Sequence, residues 1–340
     1  MTIHLLVPEG IDDPRRPSGG NVYDRRVAAE LSARGRRVRE HHVGPSGPGE
    51  QLAGLPDGAV VLVDGLVAST TDVLVAQSRR LRAAVLLHMP GSGPAEADVL
   101  RAVDAVVTPS AWARQWVIDH ARVPGGRVHV ATPGVDLGPV AAGTPSGARL
   151  LCVGPVTPDK GYDDLVAALA ELRDLDWRCR CVGALDLAPS YVDGLAERLH
   201  GLGIADRVEL TGPLPAARLD DLRSASDLVV APSRREAYGM ALAEGLARGL
   251  PAVASDVGGH PEALGTAPDG TVPGTLVPAG EPEALALALR AWLTDRRVRA
   301  RWRAAAAQRR AGMGGWAATA ATLGAVLTRI APGDVLAGGR

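Results

Sequence analysis

The chain has 340 residues, 46% of them hydrophobic, which is enough apolar material to bury the cores of two domains of ordinary size. Its 37 basic and 38 acidic side chains nearly cancel, so the overall charge leaves no footprint for nucleic acid and any electrostatic function must be local. Three cysteines, Cys152, Cys179 and Cys181, lack zinc-ligand spacing and are too few for a disulfide framework, which favours a reducing cytoplasm.

The first apolar run, "IHLLVP", has no basic leader before it and meets proline at once, so it reads as a buried strand rather than a secretory signal. "AVVLVDG", "AAVLLHM", "AVVTPS" and "VHVATPG" follow before residue 135, and "RLLCVG", "WRCRCVG", "VELTGPL", "DLVVAPS" and "PAVASD" after it. Continuous apolar runs separated by helix-period segments suit parallel sheets buried on both faces, and predict an α/β chain of two doubly wound Rossmann-like domains. Residues 137–148, rich in Gly, Pro and small side chains, are the expected linker between an N-terminal domain over 1–136 and a C-terminal domain over 149–315. Helices alone follow Gly280, with a break at Gly312, Gly314 and Gly315. No apolar stretch approaches the roughly 20 residues that span a bilayer.

Two stretches carry candidate chemistry. In "LLCVGPVTPDKGYDDLVAALAEL" a strand ends at Gly154, and Lys160 stands where Leu165, Leu169 and Leu172 begin a helical stripe. Lys160 is the only lysine among the 37 basic residues, which suggests a task for a compact ammonium, such as reaching a phosphate as a point charge. In "PSRREAYGMALAEGLARGLPAVAS" the carboxylates of Glu236 and Glu244 are eight positions apart, across a loop and into a helix whose buried stripe is Ala243, Leu246, Ala247 and Leu250. Gly239 allows a close backbone approach where that helix begins, at the strand edge where doubly wound sheets bind ligands. A surface pair of Glu244 with Arg248 at i,i+4 would by itself explain Glu244.

Together with "TGPLP", "SDVGGHPEAL", "SGGNVYDRRVAAELSARGRRV", "LLHMP", "VVTPSAWARQWV" and "VATPGVD", these stretches resemble the retaining nucleotide-sugar glycosyltransferases of family 4, which have the GT-B fold. The resemblance covers nearly the whole chain and includes the Glu-x7-Glu pattern at Glu236 and Glu244. It implies a nucleoside diphosphate sugar as donor, an acceptor of unstated identity, and no cofactor or metal. It implies that Glu236 holds donor sugar hydroxyls, Glu244 the ribose and Lys160 the diphosphate, with Gly239, Met240 and Ala241 offering backbone amides. Gly19 and Gly20 would form a small phosphate-facing loop, His88 would sit beside the reacting carbon, and a cleft shared by the two halves would hold the site. Without the resemblance, Ser18-Gly19-Gly20 reads as a turn and cap, and His88 as a hydrogen-bonded core histidine. The fold resemblance also returns a helix at about 316–331 to the N-terminal domain.

One departure stands out. Pro155 follows Gly154 where the family carries arginine, removing a cationic phosphate donor that Arg234 or Arg235 could replace. Pro155 motivates an alternative, a catalytically degenerate nucleotide-sugar-binding protein of the same fold. "GSGPAE" after residue 90 lacks the third glycine of a dinucleotide fingerprint, and no P-loop is present. "DLD" at Asp174–Asp176 imitates a metal-binding Asp-x-Asp but falls on the amino side of a strand, away from the ligand edge. In the arginine-dense 290–310 segment, Arg296, Arg299, Arg303 and Arg310 share one helical face opposite Val298, Trp302 and Ala305. That face would be solvated, or would make a weak peripheral contact with the inner membrane surface.

Overall fold

The computed structural model describes residues 1–69 and 72–331. Two compact units emerge among the described residues: one comprises residues 1–11, 20–69, 72–134 and 316–331, the other residues 12–19 and 135–315. Each is built on a six-stranded, wholly parallel sheet. The two doubly wound α/β units expected from the strand rhythm are therefore present.

In the first unit the strands are β1 (Thr2–Pro8), β2 (Arg37–Val43), β3 (Val60–Asp64), β4 (Arg82–Leu86), β5 (Ala105–Thr108) and β6 (Val128–Val130), ordered β2-β1-β3-β4-β5-β6. The central strands are sealed on both faces: every residue of β3 and β5 is buried, which is why they read as unbroken apolar runs. The helix Trp316–Ile330 belongs to this unit, with Thr319 Oγ1 donating to Thr132 O at 2.7 Å and the Trp316 ring edge against Tyr23.

In the second unit the strands are β7 (Arg149–Val153), β8 (Arg178–Val182), β9 (Val208–Gly212), β10 (Leu228–Ala231), β11 (Ala252–Ser255) and β12 (Gly274–Val277), ordered β12-β11-β10-β7-β8-β9. Leu165, Leu169 and Leu172 are at most 1% exposed and join Trp177 and Trp292 in the core. All three cysteines are buried free thiols there.

Sequence reading missed two strands. β2, "RVREHHV", is polar and mostly exposed because it lies at the sheet edge, and β12, "GTLV", is a four-residue edge strand. The linker expected over 137–148 is instead bound into the second unit. Ala141 N–H donates to Arg248 O at 2.8 Å, and the Thr144 hydroxyl donates to the fully buried Asp227 carboxylate at 2.7 Å. The arginine face of the helix Arg296–Ala311 is only partly solvated: Arg296 is exposed, whereas the other three arginines are engaged within the second unit. Arg299 donates to Trp292 O and Leu293 O, Arg303 to Thr144 O and Asp227, and Arg310 to Ala247 O and Gly138 O. These guanidiniums meet backbone carbonyls and a buried carboxylate whose charge Arg303 offsets, while Trp302 and Ala305 are buried on the other side. Among the described residues no helix is long and apolar enough to cross a membrane.

Candidate functional site

The strand order of the second unit reverses between β7 and β10. The chain runs from β7 outward to β8 and β9, then returns to β10 and goes the other way, so the loops after β7 and β10 diverge and leave a crevice at the carboxyl edge. Lys160 stands in the first of these loops, at the end of the turn Pro158–Lys160, and Glu236 in the second. Gly161, with φ +65°, makes their approach possible, because a Cβ there would lie 2.1 Å from Pro232 O. Arg234 fastens the same loops. Its backbone N–H donates to Asp159 O at 2.8 Å, and its guanidinium donates to Asp163 Oδ2 at 2.8 Å and Asp164 Oδ1 at 2.7 Å.

This geometry brings Lys160 Nζ to 2.7 Å from Glu236 Oε2, with the two side chains 24% and 17% exposed. Burial alone would raise the Glu236 carboxyl, but the Lys160 ammonium, with help from His260, holds it below the ordinary glutamate range. A charge-assisted contact of this kind contributes about 1.5–3 kcal/mol. Behind Glu236 the backbone is locked: Gly259 N–H donates to Glu236 O at 3.1 Å, and a Cβ on Gly258 would fall 1.6 Å from that oxygen. His260 Nδ1 lies 2.9 Å from Ser255 O, which fixes the proton on Nδ1, and burial lowers the ring's affinity for a second one. Its Nε2 stands 4.0 Å from Glu236 Oε2.

Lys160, Glu236, Gly239 and Ala241 line one pocket together with Tyr162, Ser233 and His260. Gly239, at φ +104°, opens the helix Met240–Leu246, and a Cβ there would meet His260 Cδ2 at 2.6 Å. Met240 and Glu244 are not among the lining residues. Met240 instead meets Gly19, where a Cβ would stand 3.1 Å from its sulfur. Glu244 is paired with Arg223, not with Arg248 as its spacing suggests. The helix ends at Leu246, so Arg248 leaves its line and turns to Asp220 at 2.9 Å and Asp136 O at 2.7 Å. Burial pushes the Glu244 carboxyl up, against the pull of Arg223.

Three further expectations are corrected or refined. Arg234 is committed to Asp163 and Asp164 and does not stand in for the missing phosphate donor at Pro155; Arg235 is half exposed and lies 3.9 Å from Asp159. Gly19 and Gly20, expected in a loop, are the first residues of the helix Gly19–Ala33. Asp174 is exposed and paired with Arg290, as befits a surface aspartate.

His88 and Gly20 belong to the first unit. There His88 Nε2 lies 2.8 Å from Asp24 Oδ1 and 3.2 Å from Asp64 Oδ2, and a Cβ on Gly20 would come within 2.9 Å of the ring. Sequence reading assigned no role to Tyr162, His260, Asp24 or Asp64. For His260, in "GGHPEAL", two glycines just past a strand end were the available signal; the aspartates had none.

Residues 145–309 match the family described as Glycosyl transferases group 1. The chain is 36% identical over 248 residues to the D-inositol 3-phosphate glycosyltransferase of Kineococcus radiotolerans, covering 66% of this chain and 57% of that one. It is 35% identical over 279 residues to D-inositol 3-phosphate glycosyltransferase 1 of Catenulispora acidiphila, covering 74% and 66%. It thus spans about three-fifths of the length of these relatives. Among solved structures, sucrose-phosphate synthase from Thermosynechococcus elongatus superposes with a TM-score of 0.79 at 20% identity, covering 97% of this chain and 99% of that one. HepE of Anabaena in complex with UDP-glucose gives 0.76 at 18%, covering 97% and 100%. The strand order, the crevice at its reversal and the matched sequence over the second unit agree, and the chain belongs to the group 1 glycosyl transferases of GT-B fold.

Proposed function

We propose that the chain is a retaining glycosyltransferase of family 4 that moves a sugar from a nucleoside diphosphate sugar to an acceptor. The observation that carries this reading is the Lys160–Glu236 pair at the strand-order reversal of the second unit, in one pocket with Gly239 and Ala241. Lys160 would turn its ammonium to the diphosphate and offset the charge that develops as the sugar departs, a donor fixed before the reaction begins. Glu236, held ionised, would accept hydrogen bonds from sugar hydroxyls, and Glu244 would take the ribose once Arg223 yields it. The backbone amides of Gly239, Met240 and Ala241 would meet the β-phosphate or the sugar. No enzyme nucleophile and no metal or other cofactor enters this scheme, and the protein would work in the cytoplasm.

D-inositol 3-phosphate, named for the relatives, and the UDP-glucose bound by HepE head the acceptor and donor panels. The test is calorimetric titration of wild type, Lys160→Ala and Glu244→Ala with nucleoside diphosphates and their sugars, followed by transfer assays. Micromolar binding to wild type that falls at least tenfold in both variants supports the reading. Binding that ignores both substitutions, or no binding, sinks it. Pro155 favours a second reading, a nucleotide-sugar-binding protein without turnover, which predicts donor binding with neither transfer nor donor hydrolysis.

A further inference from the structure

A second cluster of ionisable groups lies in the first unit. Asp24 comes from the helix Gly19–Ala33, Asp64 ends β3, and His88 follows β4, the strand paired with β3 through Asp64 and Leu86. Asp64 Oδ1 caps the next turn by accepting Leu66 N–H at 2.7 Å, which leaves Oδ2 facing His88 Nε2 at 3.2 Å. Asp24 Oδ1 faces the same nitrogen at 2.8 Å. Asp24 is 0% and Asp64 1% exposed, and Asp24 Oδ2 has no hydrogen-bond partner. The ionisable groups that face the ring are Asp24 and Tyr23 from the helix and Asp64 from β3, with the Tyr23 ring 5.2 Å away edge-on. Gly20 lets the helix come this near.

A ring nitrogen between two carboxylate oxygens must present hydrogen, since a lone pair there would face two anions. Two carboxylates with almost no access to water also need a compensating charge beside them, because burying them unpaired would be far more costly than burying them around a cation. Among the described residues Nδ1 has no hydrogen-bond partner, and the His88 side chain is 17% exposed.

We propose that Asp24 and Asp64 lock His88 as a permanent imidazolium, so that His88 serves the transfer reaction as a fixed Nδ1–H hydrogen-bond donor to a substrate oxygen and never as a general base. Asp24 and Asp64 are then positioning residues. Burial opposes a charge on the ring, but the two carboxylates outweigh it and push His88 up to about 10. Burial raises Asp24 to about 6, and His88 holds Asp64 below the ordinary aspartate range despite its burial. The ionisation does not depend on the function proposed above; the hydrogen bond to substrate does.

The experiment is histidine-selective 15N NMR of the full chain from pH 5 to 11, with the His88 signals identified by their loss in His88→Gln. The clamp predicts imidazolium shifts for His88 through pH 8, with a midpoint at least two pH units above an ordinary histidine. Asp64→Asn should lower that midpoint by at least one unit. In transfer assays wild type should show no histidine limb between pH 6 and 8.5, whereas Asp64→Asn should acquire one at its new midpoint. A wild-type midpoint near 6.5, or a neutral ring at pH 7, overturns the proposal, and the wild-type spectrum alone decides this if a variant does not fold. The three groups have ligand atoms within 4.8 Å of one another. Stoichiometric Zn2+ or Mn2+ binding that shifts the His88 signals and is lost in Asp64→Asn would therefore also overturn it, in favour of a metal site. If wild type binds no donor while His88 stays protonated at pH 8, the transferase reading fails and the ionisation stands.

Discussion

Lys160 Nζ and Glu236 Oε2 are 2.7 Å apart, so the two groups assigned to different parts of a donor are each other's partners. A donor must therefore divide this pair, with diphosphate taking the ammonium and sugar hydroxyls the carboxylate. Glu236→Gln is expected to bind a bare nucleoside diphosphate as tightly as wild type or several-fold tighter, because Lys160 is released. It should lose the additional affinity that the sugar confers. Lys160→Ala should weaken both ligands at least tenfold, the scale of one lost charge-assisted contact. Calorimetry with UDP and UDP-glucose side by side reads both effects, and equal losses for the two ligands in Glu236→Gln would contradict the assignment.

Glu244 faces a similar choice, between Arg223 and a ribose. If it holds the ribose hydroxyls, wild type should prefer UDP over its 2′-deoxy analogue, and Glu244→Ala should bind the two with nearly equal, weakened affinity. A preference that survives the substitution would place the ribose elsewhere.

The loop that carries Glu236 depends on Gly258, where an added methyl would coincide with the Glu236 carbonyl and the backbone has φ +54°. Gly258→Ala is expected to destabilise the protein by about 1–3 kcal/mol and to weaken donor binding. Gly194 sits in the helix Pro189–Gly201, and an added methyl there would meet nothing within 4 Å, so Gly194→Ala should stabilise by up to about 1 kcal/mol and leave binding unchanged. Thermal melts of the two variants, read with donor titrations, separate a constrained loop glycine from an ordinary helical one.

The His88 clamp has a stability signature of known sign. The folded chain keeps a proton on His88 that the unfolded chain releases near pH 6.5, so this stabilisation is complete below about pH 6.5 and is lost as pH rises through about 10. The slope in that window is at most about 1.4 kcal/mol per pH unit. Burial also raises Cys181 and the tyrosines, whose unfolded forms release protons from about pH 8.5 upward, so the difference between wild type and His88→Gln reads the clamp rather than the wild-type slope alone. The melting temperature of wild type should fall between pH 7 and 10, and His88→Gln should flatten the fall; parallel curves would argue against the clamp.

Pro155 can be tested by restoring a cation. Gly154 N–H donates to Val182 O and Val156 N–H to Ala184 O at 2.9 Å each, so the loop is held by the residues on either side of Pro155. Pro155→Arg should fold normally and raise affinity for a nucleoside diphosphate roughly three- to tenfold. No gain would mean that the site has no room for this donor.

Much of this was legible in the amino-acid order because it depends on local chemistry. Ten strands were legible in the sequence, most plainly β3, β5 and β11, in which every residue is buried and no polar side confuses the pattern, and the turn glycines and lone Lys160 marked the loops that matter. What failed was legible only through contacts far apart in the chain. The edge strands β2 and β12 lack the buried pattern, Arg248 leaves its helix before it can reach Glu244, and Arg303 and Arg310 of the helix Arg296–Ala311 close on residues more than 60 positions away. The sequence by itself determined two parallel α/β units and the residue types at the carboxyl edge of the second. Tertiary structure alone decided that Lys160 meets Glu236 across 76 positions and that His88 lies between two aspartates from other elements. Periodicity encodes which side of an element is buried, whereas the pairing of charges depends on how the strands are ordered in the sheet.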